Sequence, residues 1–114
     1  MRSKYGSKKT QVDGIRFDSK AEAQRYRELM LLKHAGEVTE VVLQPSYVLM
    51  PGFKHEATGE RVQAIRYKAD FLVTYKDGHQ EIEDVKGVKT EVYRIKKKLF
   101  MHLHPDLYIK EVSA

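Results

Sequence analysis

The chain is 114 residues long, with 21 lysines and arginines against 16 aspartates and glutamates, no cysteine, no tryptophan and 41% hydrophobic residues. That composition supports one small core and excludes several domains, a disulfide framework and thiolate metal sites. The longest wholly apolar run, Leu29-Met30-Leu31-Leu32, is far short of the roughly 20 residues that span a bilayer, and no apolar segment follows the basic start, so neither a membrane protein nor a secreted precursor is expected.

The net charge of +5 is unevenly placed: residues 1–9 carry Arg2, Lys4, Lys8 and Lys9 with no acid, and residues 86–98 carry Lys86, Lys89, Arg94, Lys96, Lys97 and Lys98 against Glu91 alone. Clustered cations gain from releasing the counterions condensed on a phosphate backbone, so the asymmetry suits a polyanionic partner. A lysine-rich face that only keeps a small protein in solution has the same composition.

Residues 1–9 read as a flexible basic arm and residues 10–114 as a single domain. Asp13-Gly14, between Val12 and Ile15-Arg16-Phe17, predicts a short hairpin. Ser19-Lys20-Ala21-Glu22 is a capping box, after which Ala23, Tyr26, Leu29 and Met30 recur at helical spacing until Gly36 closes the helix. Residues 38–43 are rich in β-branched side chains, Gln44-Pro45 interrupts them, and 47–49 resume extended structure; 52–59 read as a loop. Strict alternation over 65–75 puts Ile65, Tyr67, Ala69, Phe71, Val73 and Tyr75 on one face and predicts a single strand. Lys76-Asp77-Gly78 turns it into a second strand over 80–86. Thr90 then caps a helix whose core stripe is expected to be Val92, Ile95, Leu99, Phe100 and Leu103, with Arg94, Lys97 and Lys98 opposite. Pro105 stops that helix before a final strand over 107–112. The order of helix, three or four strands, helix and strand predicts an α/β sandwich, a small mixed β-sheet flanked by helices, with no dimerisation stripe left exposed.

An acid in the middle of the clearest strand, Asp70, needs compensation. Asp84 and Lys86 on the next strand are two apart and project from one face, into the space Asp70 can enter. Two carboxylates make a hard oxygen site suited to Mg²⁺, with Mn²⁺ as a substitute, and the ammonium can offset charge growing on a phosphate. A buried structural ion cluster is the competing reading. Parity selects Asp84 over its neighbour Glu83, whose replacement by Gln is expected to be mild. For Asp84 to meet Asp70, Tyr75 must oppose His79 across a three-residue loop, or a bulge must intervene; a two-residue Asp77-Gly78 turn would put the aspartates on opposite faces. Glu22 sits at or within the apolar stripe of the first helix, either as a site acid or simply as the partner of Ser19 in the capping box. Gln44 is read as a strand-ending residue or as an aid at the site rim. His102 and His104 lack a third zinc ligand nearby.

Ser19-Lys20-Ala21-Glu22-Ala23, Gln44-Pro45, Tyr67-Lys68-Ala69-Asp70-Phe71 and Glu83-Asp84-Val85-Lys86-Gly87, in this order over most of residues 3–112, resemble the PD-(D/E)XK nuclease superfamily, and within it a family of small phage and prophage endonucleases. The resemblance implies a restriction-endonuclease-like fold and a Mg²⁺-dependent endodeoxyribonuclease working in the cytoplasm of a phage-infected or lysogenic bacterial host. It implies Asp70 and Asp84 as metal ligands, the Val85 carbonyl as a third, Lys86 as the catalytic lysine and Glu22 as an auxiliary acid. Ala69 stands where the motif has proline, and Asp84 where glutamate is commoner. DNA is the expected partner, held by Arg2, Lys4, Lys8, Lys9, Lys89, Arg94, Lys97 and Lys98, with a homodimer allowed. A noncatalytic nucleic-acid-binding or phage assembly protein on the same scaffold is the rival expectation.

Overall fold

A computed structural model describes residues 9–113. It is a small mixed α/β fold of ten strands and two helices among the described residues. Strands β1 (Thr10–Val12) and β2 (Ile15–Phe17) form the expected hairpin, with Asp13 and Gly14 at φ 53° and 77° as its tight turn requires. Helix α1 (Lys20–His34) starts where Ser19 accepts from the Glu22 N–H at 3.1 Å. It ends before Gly36, at φ 84°. Then come β3 (Val38–Leu43), β4 (Ser46–Met50), β5 (Phe53–Lys54), β6 (Arg61–Val62), β7 (Ile65–Lys68), β8 (Phe71–Tyr75), β9 (Gln80–Lys86), α2 (Glu91–Leu103) and β10 (Tyr108–Ser113).

The main sheet runs β10-β9-β8-β3. Strand β8 is antiparallel to β3 and β9, while β10 returns parallel to β9 after α2. Phe71 and Val73 of β8 pack with Ala23, Tyr26 and Leu29 of α1. Ile82 and Ile109 pack with Tyr93 and Phe100 of α2, so each helix covers one face of the sheet.

The β8–β9 register opposes Phe71 to Glu83, Leu72 to Ile82, Val73 to Glu81 and Thr74 to Gln80. The Tyr75 N–H donates to His79 O at 2.9 Å across the three-residue loop, with Gly78 at φ 92°. This is the pairing that lets Asp70 meet Asp84.

Three expectations are corrected. Residues 65–75 are not one strand: β7 pairs with β4 and β8 with the main sheet, parting at Ala69-Asp70. The break leaves no backbone group stranded, because Ala69 N–H donates to Pro45 O and Asp70 N–H to Glu83 O, while Gln44 N–H donates to Asp70 O. Residues 52–59 are not wholly loop, since β5 and β6 pair across them. Third, α2 turns Tyr93 and Phe100 inward and leaves Val92, Ile95, Leu99 and Leu103 exposed. A helix presents two apolar edges here, and the one carrying the aromatic rings has won the core because rings bury more area per residue. An apolar stripe therefore does lie on the surface, contrary to the sequence expectation.

Candidate functional site

The two breaks, Gln44-Pro45 between β3 and β4 and Ala69-Asp70 between β7 and β8, lie against each other where the chain passes from the main sheet to the β4–β7 pair. At such a corner side chains are freed from ladder alternation and can converge.

Asp70 projects across to β9, and its Oδ2 accepts from the Val85 N–H at 2.7 Å. Asp84 is 3% exposed and its Oδ2 accepts from the Tyr67 hydroxyl at 2.6 Å. Lys86 Nζ stands 3.5 Å from Asp84 Oδ1 and 4.3 Å from the centre of the Tyr93 ring, so a carboxylate and an aromatic face both hold it. Burial raises the Asp70 carboxyl above its ordinary value, the Val85 N–H opposes this, and the adjoining Asp84 carboxylate adds to the rise. The Tyr67 hydroxyl is likewise pushed up, by burial and by its bond to Asp84, and stays a donor.

Glu22 reaches the same space from the first turn of α1. It is 6% exposed, and burial, followed by the charges of Asp70, Asp18 and Asp84, pushes its carboxyl up to about 7, against the lowering effect of Lys68. Only the backbone half of the capping box forms: Ser19 receives the Glu22 N–H, while the Glu22 side chain lines a pocket of about 190 Å³ with Arg16, Gln44 and Asp70, walled by Phe17 and Leu43. The carboxyl is thus directed at the site and not at its own cap.

The structure therefore brings Glu22, Asp70, Asp84 and Lys86 together. Val85 contributes an observed N–H link to Asp70. The cationic residues divide. Arg2, Lys4 and Lys8 lie outside the described residues, and Lys9 is exposed. Lys89 and Lys97 are paired with Glu111 at 3.0 and 3.1 Å, whereas Arg94 and Lys98 project into solvent.

Sequence reasoning missed Tyr67, Arg25, Glu111 and Arg16. An arginine three positions after Glu22 on the buried side of α1 was a readable sign of a buried acid: Arg25 grips Glu83, which is fully buried, through Nε and Nη2 at 2.6 Å each.

Among the described residues no group of three or more His, Asp or Glu is arranged to hold a metal ion. Magnesium keeps several waters and takes one or two protein carboxylates, so it needs no such group. The donor set fits it: a buried Asp84 and a half-buried Asp70 adjoin, and Asp70, raised first by burial and then by the Asp84 carboxylate, would gain from a cation placed between the two.

The residues 2–113 match the family described as protein of unknown function (DUF1064). The chain belongs to that family. No curated protein and no solved structure matches it. Among the described residues of this family member, no helix is long and apolar enough to cross a membrane.

Proposed function

We propose that the protein is a Mg²⁺-dependent endodeoxyribonuclease of the PD-(D/E)XK type, built on a restriction-endonuclease-like core and encoded by a phage or prophage for use in the host cytoplasm. The observation that carries the reading is the convergence of Asp70, Asp84 and Lys86 from two strands, with Glu22 arriving from a helix at the same corner. The helix, β-hairpin, helix and parallel strand around that corner support the fold assignment.

Asp70 and Asp84 would hold the ion, joined by the Val85 carbonyl as the resemblance implies. Bound Mg²⁺ supplies Lewis-acid polarisation of the scissile phosphate. Tyr67 fixes one oxygen of Asp84, leaving Oδ1 on the Lys86 side. Lys86 keeps its Nζ at the site through Asp84 and Tyr93, where it offsets negative charge developing on the phosphate. Glu22, whose carboxyl exchanges its proton near neutral pH, can accept a proton from an attacking water or return one to the leaving oxygen.

The test is cleavage of labelled linear, nicked, branched and single-stranded DNA with Mg²⁺, with Mn²⁺ and with chelator. Cleavage should require the ion and vanish in Asp70→Asn, Asp84→Asn and Lys86→Ala, while Lys86→Ala still binds Mg²⁺ by calorimetry. Activity that survives chelation, or Lys86→Ala cutting at the parent rate, removes the assignment. Ion-independent DNA binding without cleavage would favour the noncatalytic nucleic-acid binder.

A further inference from the structure

The pocket beside the carboxylates carries more than the acids. Its buried part holds Glu22 and the half-buried Asp70, and its exposed lip is made by Arg16 of β2 and by Gln44. Neither lip residue is used elsewhere: both are exposed, and neither has a side-chain hydrogen bond or ion pair among the described residues. Arg25 on α1, by contrast, is held by Glu28 and Glu83; Arg61, Arg66 and Arg94 share the unpaired state of Arg16 among the described residues, but none of them lines a pocket with buried acids.

Both lip residues are held where they are. The β1–β2 hairpin is fastened to α1 by the Phe17 and Tyr26 rings, 5.0 Å apart, and by the Tyr26 hydroxyl on Asp13 Oδ2 at 3.3 Å. Arg16 thus rides on the helix that carries Glu22. Gln44 has φ 51°, the left-handed region that glycine occupies freely and other residues only at a cost. Its N–H is tied to Asp70 O at 2.9 Å, which locks it to the strand break. A glycine would make this corner more cheaply, so the side chain is what a strained glutamine adds.

We infer that this pocket is a substrate subsite that takes the nucleotide next to the scissile phosphate. Arg16 grips its non-scissile phosphate, Gln44 hydrogen-bonds the same nucleotide, and the half-buried Leu43 packs against its sugar. A planar guanidinium holds two phosphate oxygens at once, and an amide both donates and accepts. The inference rests on the nuclease reading, and it places a phosphate contact at the corner itself, separate from the cationic face of α2.

The experiment measures DNA binding by the full chain carrying Lys86→Ala, in Mg²⁺, to a labelled duplex and to its separated strands over a range of salt. Adding Arg16→Ala should weaken binding about tenfold and flatten the log-log salt slope by about 0.9. Arg16→Lys should keep the slope, since the charge remains, and recover only part of the affinity. Gln44→Gly should weaken binding about three- to tenfold at an unchanged slope, with a melting temperature equal to or above the parent's because strain is relieved. Lys33→Ala, the same loss of charge at a position about 16 Å along α1 from Glu22, should alter neither quantity. A parent that binds DNA while Arg16→Ala and Gln44→Gly bind like it overturns the subsite and leaves the nuclease reading standing. A parent that binds no DNA removes both.

Discussion

Arg25 closes on the Glu83 carboxylate with two parallel hydrogen bonds of 2.6 Å, on the face of β9 opposite to Asp84. Neighbouring acids on one strand therefore serve different ends: Asp84 enters the corner on the α2 side, while Glu83 ties the sheet to α1.

The mild effect expected of Glu83→Gln on cleavage does not extend to stability. Glu83 is fully buried, and neutralising it leaves a guanidinium whose side chain is only 14% exposed with the half-exposed Glu28 as its one remaining acid among the described residues. Breaking one partner of a buried pair costs about 3 to 5 kcal/mol. Denaturant unfolding of Glu83→Gln should show a loss of that order, whereas Asp84→Asn should lose cleavage while still folding. An unfolding midpoint equal to the parent's would mean that the pair does not hold α1 to the sheet.

Helix α2 supplies a second stability contrast. Phe100 is fully buried between Tyr47 and Tyr67, with ring centres 5.0 and 5.4 Å away, and Phe100→Ala should cost about 3 to 5 kcal/mol. Ile95 is 55% exposed, so Ile95→Ser should stay within about 0.5 kcal/mol. The stripe expected from sequence alone made both positions core. Equal losses in urea unfolding would restore that arrangement.

Glu111 accepts from the Tyr93 hydroxyl at 2.7 Å and from Lys97 and Lys89. These partners, the tyrosine first, hold its carboxyl at about 2 against an ordinary 4.5. A carboxylate depressed in the folded state stabilises the fold above its unfolded value, and that contribution fades as pH falls through the folded one. Glu111→Gln should therefore lower Tm above about pH 4.5 and converge with the parent as pH approaches about 2. Thermal melts across that window check it, and a constant offset at every pH would count against the linkage. Because the same tyrosine ring lies under Lys86, Tyr93→Phe should keep the lysine in place and share the acid-limb change.

Local chemistry was legible in the residues themselves. The Asp13-Gly14 turn, the Ser19 and Thr90 caps and the β8–β9 loop follow from backbone preferences that act within four or five residues, and the register that opposes Phe71 to Glu83, next to the two aspartates, follows from that loop. Period-two alternation likewise separated Asp84 from Glu83. What tertiary structure alone decided is where elements stop and which neighbour each one finds. The alternation over 65–75 is continuous in sequence, yet the chain changes sheets at Asp70 because β4 and β9 compete for its two ends. The apolar pattern of α2 offers two edges, and only the rings of Tyr47 on β4 and Tyr67 on β7, with Ile82 and Ile109 of the main sheet, select one. Arg25 on Glu83, Tyr67 on Asp84 and Arg16 beside Gln44 join residues 17 to 58 positions apart. Local periodicity can mark one end of such a contact, as it does Arg25, but not its partner, because the pairing is set by how helix, hairpin and sheet pack together.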